Sequence, residues 1–145
     1  MQFSLVEIPD SENESVTVRC HNKNEKWVQT ISSVCSGESE ITVYSEKKAY
    51  RLKLDDVFYF EIVDGRSFVY SASSVFECRL KLYEFEELCR RSFLFRCSKS
   101  VILNADRISY VRPTVSGRFE ATLQNGYRVI ISRQYVPALK RILGL

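Results

Sequence analysis

The chain has 145 residues, of which 45% are hydrophobic and 27% are charged. This globular balance fits one domain with a small appendage and argues against disorder. No apolar run approaches the roughly 20 residues of a membrane-spanning helix, and the amino terminus lacks the pattern of a signal peptide. Residues 1–40 carry a net charge of −4 and residues 41–145 a net charge of +7. We therefore expect a cytoplasmic protein. The charge asymmetry is typical of a nucleic-acid-binding protein with a second functional segment, and a basic surface without a ligand is the alternative.

The chain has few of the groups that catalytic or cofactor sites need. His21 is the only histidine, and the five glycines form neither a GxGxxG nor a GxxxxGK[ST] loop. The five cysteines lack the spacing of a zinc site, and four or five of them are expected to be buried free thiols. They are Cys20, Cys35, Cys78, Cys89 and Cys97. We expect a protein that is not an enzyme and has no metal, cofactor or small-molecule substrate.

The first 40 residues predict a small β-β-α unit. Residues 2–8 and 15–20 alternate apolar and polar side chains as short strands do. A helix is expected to start near an N-cap at Asn24 and to end at Gly37. Its apolar stripe consists of Trp27, Ile31, Val34 and Cys35. Because about 40 residues are too few to bury a core alone, we predict a regulatory or dimerisation extension whose stripe is covered by the rest of the chain or by a partner.

The sequence from residue 41 onward is almost entirely strand-forming, which predicts a mainly β (α+β) domain. The near-continuous apolar run at 57–63 predicts a central buried strand. Asp64-Gly65 and Asn125-Gly126 are signals for two-residue hairpin turns. Short helices are predicted at 83–91 and around Pro137. Strands are predicted at 41–45, 49–54, 57–63, 67–71, 75–80, 93–96, 101–103, 108–111, 118–123 and 128–131.

Three segments of this part resemble the motifs of one family, in the same order and at similar intervals. Residues 95–104 resemble F-x-R-x-H-[KR]-S-[YF]-[IVL]-[IVL]-N, with a shortened spacing before Ser-Lys-Ser. Residues 123–135 resemble L-x-N-G…[VI]-S-R-x-[YF], and residues 57–61 resemble the strand I-x-Y-[FI]-E. Together they are similar to a LytTR-type DNA-binding domain that covers residues 41–145.

Two positions depart from the family pattern. Ser98 stands where the family commonly has a histidine, so a base contact made there by an imidazole is weakened or absent. Val101 replaces the usual aromatic residue, which concerns packing more than recognition. No phosphoacceptor (receiver) domain is expected. Residues 1–40 resemble the short extension of stand-alone LytTR regulators, which are often encoded beside a small membrane protein.

The resemblance implies an antiparallel β fold that inserts loops, rather than a recognition helix, into successive grooves of double-stranded DNA. The loops that the residues themselves predict carry Arg, Lys and Ser, which suit guanine, phosphate and base edges. Arg96 is a candidate phosphate contact that could equally pair with a carboxylate. The candidate DNA-binding residues are Arg66, Ser67, Arg96, Ser98, Lys99, Ser100, Arg118 and Arg133.

The function expected from these features is that of a sequence-specific transcription regulator. One module touches few base pairs, so we expect a homodimer on repeated half-sites. The resemblance also implies a membrane-bound inhibitory protein as a partner. The alternative is a protein-interaction module whose basic sheet face binds an acidic partner without reading DNA. An RNA-binding sheet is disfavoured because paired exposed aromatic residues are lacking.

Overall fold

The computed structural model describes residues 2–36, 40–90 and 92–145, and the chain divides after Ser36 into two compact units. The first unit contains one helix, α1 (Lys26–Ser36). This confirms the helix predicted there, whose expected end at Gly37 lies outside the described residues. Trp27 and Ile31 are half-buried and Cys35 is exposed. The side chain of Val34 is not among those described.

The two strands predicted at 2–8 and 15–20 are wrong. Residues 2–20 have no regular secondary structure, and all of their side chains are exposed. The backbone N–H of Glu12 donates to the carbonyl of Pro9 at 2.9 Å and closes a turn. An alternating sequence forms a strand only where a neighbour takes its backbone hydrogen bonds and covers its apolar face, and an isolated hairpin is marginal in water. The first unit is therefore a segment followed by a helix, not a β-β-α unit.

In its described residues, the second unit consists of two antiparallel sheets, two short α-helices and four one-turn 3-10 helices, which confirms the expected fold class. The larger sheet has the strand order β2-β1-β5-β4-β3-β7-β6, and the smaller one has the order β10-β9-β8. The strands of the larger sheet are β1 (Glu40–Ser45), β2 (Lys48–Lys53), β3 (Tyr59–Val63), β4 (Arg66–Tyr70), β5 (Val75–Cys78), β6 (Leu94–Arg96) and β7 (Val101–Asn104). The strands of the smaller sheet are β8 (Ile108–Pro113), β9 (Phe119–Leu123) and β10 (Arg128–Ile131). The helices are α2 (Leu82–Leu88) and α3 (Val136–Leu143).

Two apolar cores pack against opposite faces of the larger sheet. Phe60 and Ile102 belong to the first core, where the ring of Phe60 stacks on Phe85 of α2 with centroids 4.3 Å apart. Phe58 and Leu103 belong to the second core, which the smaller sheet and α3 complete. Successive side chains of a strand point to opposite faces. The neighbours Ile102 and Leu103 of β7 therefore lie in different cores, and so do Phe58, just before β3, and Phe60, within it. The predicted central strand is confirmed, since β3 lies between β4 and β7.

Both predicted hairpin turns are present. Asp64 and Gly65 have φ angles of 51° and 74°, as a two-residue turn between antiparallel strands requires at both positions. The second turn is longer: the N–H of Leu123 donates to the carbonyl of Tyr127 at 2.8 Å, and of the residues between them Gly126 alone has a positive φ, of 91°. Helix α2 ends earlier than predicted, and Arg91, in its expected last turn, lies outside the described residues. The expected final helix is confirmed, with Pro137 in its first turn.

The expectation of four or five buried cysteines is wrong. Cys78, Cys89 and Cys97 are buried, whereas Cys20 and Cys35 are exposed. Both exposed thiols lie in the first unit, where none of the described side chains is buried. Burial raises the pKa of Cys89 and of Cys97 to about 12, so these thiols remain protonated at neutral pH.

The described residues contain no cluster of three or more His, Cys, Asp or Glu side chains that could hold a metal ion. None of the described helices is long and apolar enough to cross a membrane.

Candidate nucleic-acid interface

The first loop of the candidate interface connects β6 to β7 and is held closely to its neighbours. The N–H of Cys97 donates to the carbonyl of Val101 at 3.0 Å. The hydroxyl of Ser98 accepts from the N–H of Ser100 at 3.3 Å. The side chain of Lys99, between these two serines, is exposed. The loop therefore presents a lysine from a backbone fixed on both sides.

The second loop connects β8 to β9, and its shape depends on a glycine. The N–H of Thr114 donates to the carbonyl of Arg118 at 2.8 Å, and Ser116 and Gly117 have φ angles of 65° and 73°. A Cβ atom placed on Gly117 would lie 3.0 Å from Cδ of Arg133. The glycine thus allows the aliphatic part of Arg133, just after β10, to lie directly on this turn.

These loops meet through the residues that follow β10. The N–H of Ser132 donates to the carbonyl of Cys97 at 2.9 Å and so joins the third segment to the first loop. Arg118 and Ser132 both line a surface cavity of about 340 Å³ that also contains Ser98 and Arg128. The same two residues line a second cavity, of about 440 Å³, that contains Arg133. We call the resulting surface the basic edge, and it comprises Ser98, Lys99, Arg118, Arg128, Ser132 and Arg133.

The cations of the basic edge take no part in the ion pairs found among the described residues. Lys99, Arg118, Arg128 and Arg133 are exposed, and none forms an ion pair within the part of the chain that the structure describes. Unpaired cations keep their full charge for an anionic ligand and require no ion pair to be broken. Residues 90–141 carry a net charge of +9, so the edge lies in the most basic stretch of the chain.

Tyr59 and the carboxylate of Glu61 line the smaller cavity together with Arg118 and Arg128, and Tyr70 contacts both Tyr59 and Glu61. The rings of Tyr59 and Tyr70 stack with centroids 4.0 Å apart, and the Tyr70 hydroxyl donates to Glu61 at 3.2 Å. Burial raises the pKa of Tyr59, and burial together with the charge of Glu61 raises that of Tyr70. Both hydroxyls therefore stay neutral. The carboxylate repels phosphate, so anions are expected on the Arg118 and Arg128 side of this cavity.

Four of the eight predicted site residues belong to the basic edge, namely Ser98, Lys99, Arg118 and Arg133. Ser100 lies in the same loop, and its carbonyl accepts from the N–H of Ile62 at 2.9 Å. Arg96 lies beneath the loop, where its guanidinium contacts Glu86 at 3.4 Å. The pairing with a carboxylate that the sequence left open is therefore present.

The structure places Arg66 and Ser67 differently from the other predicted residues. The guanidinium of Arg66 donates two hydrogen bonds to one oxygen of Glu77, at 2.9 and 2.7 Å. Ser67 is buried, and its hydroxyl donates to the carbonyl of Leu80 at 2.6 Å. The Ser67 hydroxyl is thus used inside the fold, and the Arg66 charge is already paired.

Sequence reasoning missed Arg128 and Ser132. Arg128 lies in β10, where Val129 and Ile131 are buried and the alternate positions are exposed. That alternation was visible in the sequence and could have placed Arg128 on the outer face. Ser132 stands beside Arg133 in the family motif, which could have marked it. Its hydrogen bond to Cys97, 35 positions earlier in the chain, had no signal in the sequence.

Comparison with known proteins identifies the family. The family model of the LytTr DNA-binding domain matches residues 47–144. The chain belongs to this family. A solved LytTr DNA-binding domain from Bacillus cereus is 27% identical, with a TM-score of 0.70, and the match covers 75% of this chain and 100% of that chain. The resemblance seen in the sequence motifs is therefore confirmed.

The relatives of this LytTR chain include proteins named as transcriptional regulators and one named as a sensory transduction protein. The transcriptional regulatory protein BtsR of Salmonella typhi is 31% identical over 111 residues, which are 77% of this chain and 42% of BtsR. The sensory transduction protein LytT of Enterococcus faecalis is 24% identical, over 72% of this chain and 43% of LytT. The chain thus spans well under half the length of these two relatives. An uncharacterised HTH-type transcriptional regulator of Staphylococcus aureus strain NCTC 8325 is 24% identical over 93% of both chains.

Proposed function

We propose that this chain is a transcription regulator that binds double-stranded DNA in a sequence-specific manner through its basic edge. The observation that carries the proposal is that three loops from a LytTR fold meet at one edge with four unpaired cations. Phosphate contacts supply most of the affinity of such a surface, whereas contacts to base edges supply the specificity. Lys99, on a loop, and Arg133, at the start of a 3-10 helix (Arg133–Tyr135), are suited to guanine O6 and N7. Arg118 and Arg128, which share a cavity, are suited to the backbone phosphates.

Selection from a random pool of duplex DNA with the full chain tests this function. We expect a recurrent sequence to be enriched and to shift the chain in a gel in the presence of a shuffled duplex of the same composition. The affinity should fall with salt, with a log–log slope of about −0.9 for each phosphate contact. If the chain instead binds an acidic protein partner through a basic sheet face, no sequence will be enriched.

The proposed regulator acts as two copies on repeated half-sites. A single DNA-binding module buries only about 600–1,000 Å² of protein surface on DNA. A second copy raises the affinity and lengthens the DNA site that is recognised. Sedimentation of the chain with the selected duplex measures the stoichiometry. Two chains for each duplex at saturation are expected, whereas one chain for each duplex would contradict the pairing.

We propose that the protein acts in the cytoplasm, where its DNA lies. We also propose that the first 40 residues either regulate the DNA-binding part or bring two copies of it together. Phe3, Leu5 and Val16 are 83%, 84% and 68% exposed in this acidic segment, which leaves apolar groups for a second copy or for a membrane-bound inhibitory protein. The double substitution Leu5→Ser/Val16→Ser tests this role. It should leave the affinity for a single half-site unchanged while altering dimerisation or inhibition. Loss of half-site binding in a folded variant would contradict it.

A further inference from the structure

The carbonyl groups of the loop that carries Lys99 are all hydrogen-bonded. Backbone N–H groups serve three of the five carbonyls between residues 97 and 101, and one side chain serves the other two. The donors are Ser132 N–H to Cys97 at 2.9 Å, Arg96 Nε to Ser98 at 3.2 Å, Arg96 Nη2 to Lys99 at 2.9 Å, Ile62 N–H to Ser100 at 2.9 Å, and Cys97 N–H to Val101 at 3.0 Å. The carbonyls of Ser98 and Lys99 therefore depend on a single guanidinium.

Arg96 is itself held in place from the opposite side. Its third nitrogen, Nη1, lies 3.4 Å from Oε2 of Glu86 on helix α2, and its side chain is only 33% exposed. A guanidinium is a rigid planar fork, so three nitrogens engaged in three directions define its orientation. The contacts of Arg96 thus form a continuous link from α2 to the backbone of Lys99.

We infer that Arg96, anchored by Glu86, is a positioning residue that fixes the backbone from which Lys99 reaches DNA, rather than a phosphate contact. The inference rests on the proposed function. A carbonyl without its donor would turn toward solvent on a surface that must approach phosphate. A recognition side chain retains its specificity only when its backbone is held within a fraction of an ångström.

The substitution Arg96→Lys tests this role, because it retains the charge but cannot bridge two carbonyls and a carboxylate. We expect the affinity for the duplex selected by the wild-type chain to fall about tenfold, since the base contact is misplaced. The affinity for the shuffled duplex should change less than about twofold and the salt slope should not change, because the charge is retained. The inference would be overturned if the ratio of selected-duplex to shuffled-duplex affinity were the same in Arg96→Lys as in the wild-type chain.

Glu86→Gln provides a second variant, and Glu87→Gln is its matched control. The two glutamates are neighbours on α2, and Glu87 pairs with Arg90 at 3.1 Å rather than with the loop arginine. Both substitutions remove one negative charge at nearly the same place. Only Glu86→Gln should lower the ratio of selected to shuffled affinity, by about threefold. Equal ratios in the two variants would show that Glu86 does not act on the loop.

A double-mutant cycle with Lys99→Ala separates positioning from a direct contact. If Arg96 acts through Lys99, adding Arg96→Lys to Lys99→Ala should reduce the selected-site affinity by less than about twofold further. Additive losses would assign Arg96 its own contact and overturn the inference. Thermal unfolding of each variant identifies any loss caused by unfolding. If the wild-type chain selects no sequence, the proposed function fails and this inference falls with it. If it selects one and the cycle is additive, only the inference fails.

Discussion

The loop that carries Lys99 and the turn that precedes Arg66 lie at the same end of the larger sheet but have different electrostatic surroundings. The hydrogen bond from Ile62 N–H to Ser100 brings the end of β3 against the loop. Both cations are exposed, yet Arg66 is paired with Glu77 of β5 and Lys99 has no acidic partner within the described residues. A neighbouring strand has therefore placed a carboxylate beside one cation and none beside the other. A loop position is not enough to predict a DNA contact, because the adjacent strands decide whether the charge is free.

Removing the cations one at a time tests whether ion pairing decides which of them contact DNA. Lys99→Ala and Arg133→Ala should each cost about 1–3 kcal/mol on the selected duplex and much less on the shuffled duplex, because each removes a base contact. Arg66→Ala should cost well under about 1 kcal/mol on either duplex. Titrations by fluorescence anisotropy measure all six values. If all three variants lose a similar amount of binding free energy on the selected duplex, Arg66 contacts DNA despite its ion pair with Glu77.

Gly117→Ala separates backbone strain from displacement of Arg133, with Gly65→Ala as its matched control. The two glycines have φ angles of 73° and 74°, so an alanine should destabilise the fold by about 1–2 kcal/mol at either position. Only at Gly117 does the added Cβ meet Arg133, since nothing lies within 4 Å of a Cβ at Gly65. DNA affinity should therefore fall several-fold in Gly117→Ala alone. Chemical denaturation measures the stability of each variant, and DNA titration measures its affinity. Equal DNA affinities of Gly117→Ala and Gly65→Ala would show that the contact between residue 117 and Arg133 does not affect binding.

Ser67→Ala tests whether Ser67 acts in the fold or on DNA. The substitution leaves the carbonyl of Leu80 without its donor at 2.6 Å, which should lower the free energy of unfolding by about 1 kcal/mol. DNA affinity should not change at a temperature where the variant is folded. A loss of affinity with unchanged stability would restore Ser67 as a contact.

Glu77→Gln is expected to have the smallest effect. It removes the charge that pairs with Arg66, and because both side chains are largely exposed the pair is worth less than about 1 kcal/mol. Binding to the shuffled duplex should tighten slightly and the salt slope should steepen by at most about 0.9. An unchanged slope would mean that a freed Arg66 still does not reach phosphate.

Local patterns predicted most of the second unit correctly. Alternation located its strands, and Asp64-Gly65 and Asn125-Gly126 located two hairpins, because these signals depend on residues adjacent in the chain. The same alternation failed at residues 2–20, which have no neighbouring strand and no covered apolar face. Four of the eight candidate residues belong to the basic edge, and the motifs that contain them identified the family. Arg66 and Ser67 engage groups that local reasoning did not assign to them. For Arg96 the sequence left a carboxylate partner open, but it did not indicate the two loop carbonyls that the guanidinium also contacts.

The strands and hairpins of the second unit, the family and the basic character of the last third of the chain could be read from the sequence. Each of these follows from neighbouring residues or from composition. Only the tertiary structure decided which cations are free. Glu77 reaches Arg66 across paired strands, and Glu86 reaches Arg96 from a separate helix. Ser132 and Arg133 join loops that are distant in sequence. The physical reason is that an ion pair or a shared cavity depends on distance in space, and a β-sheet brings together residues far apart in the chain.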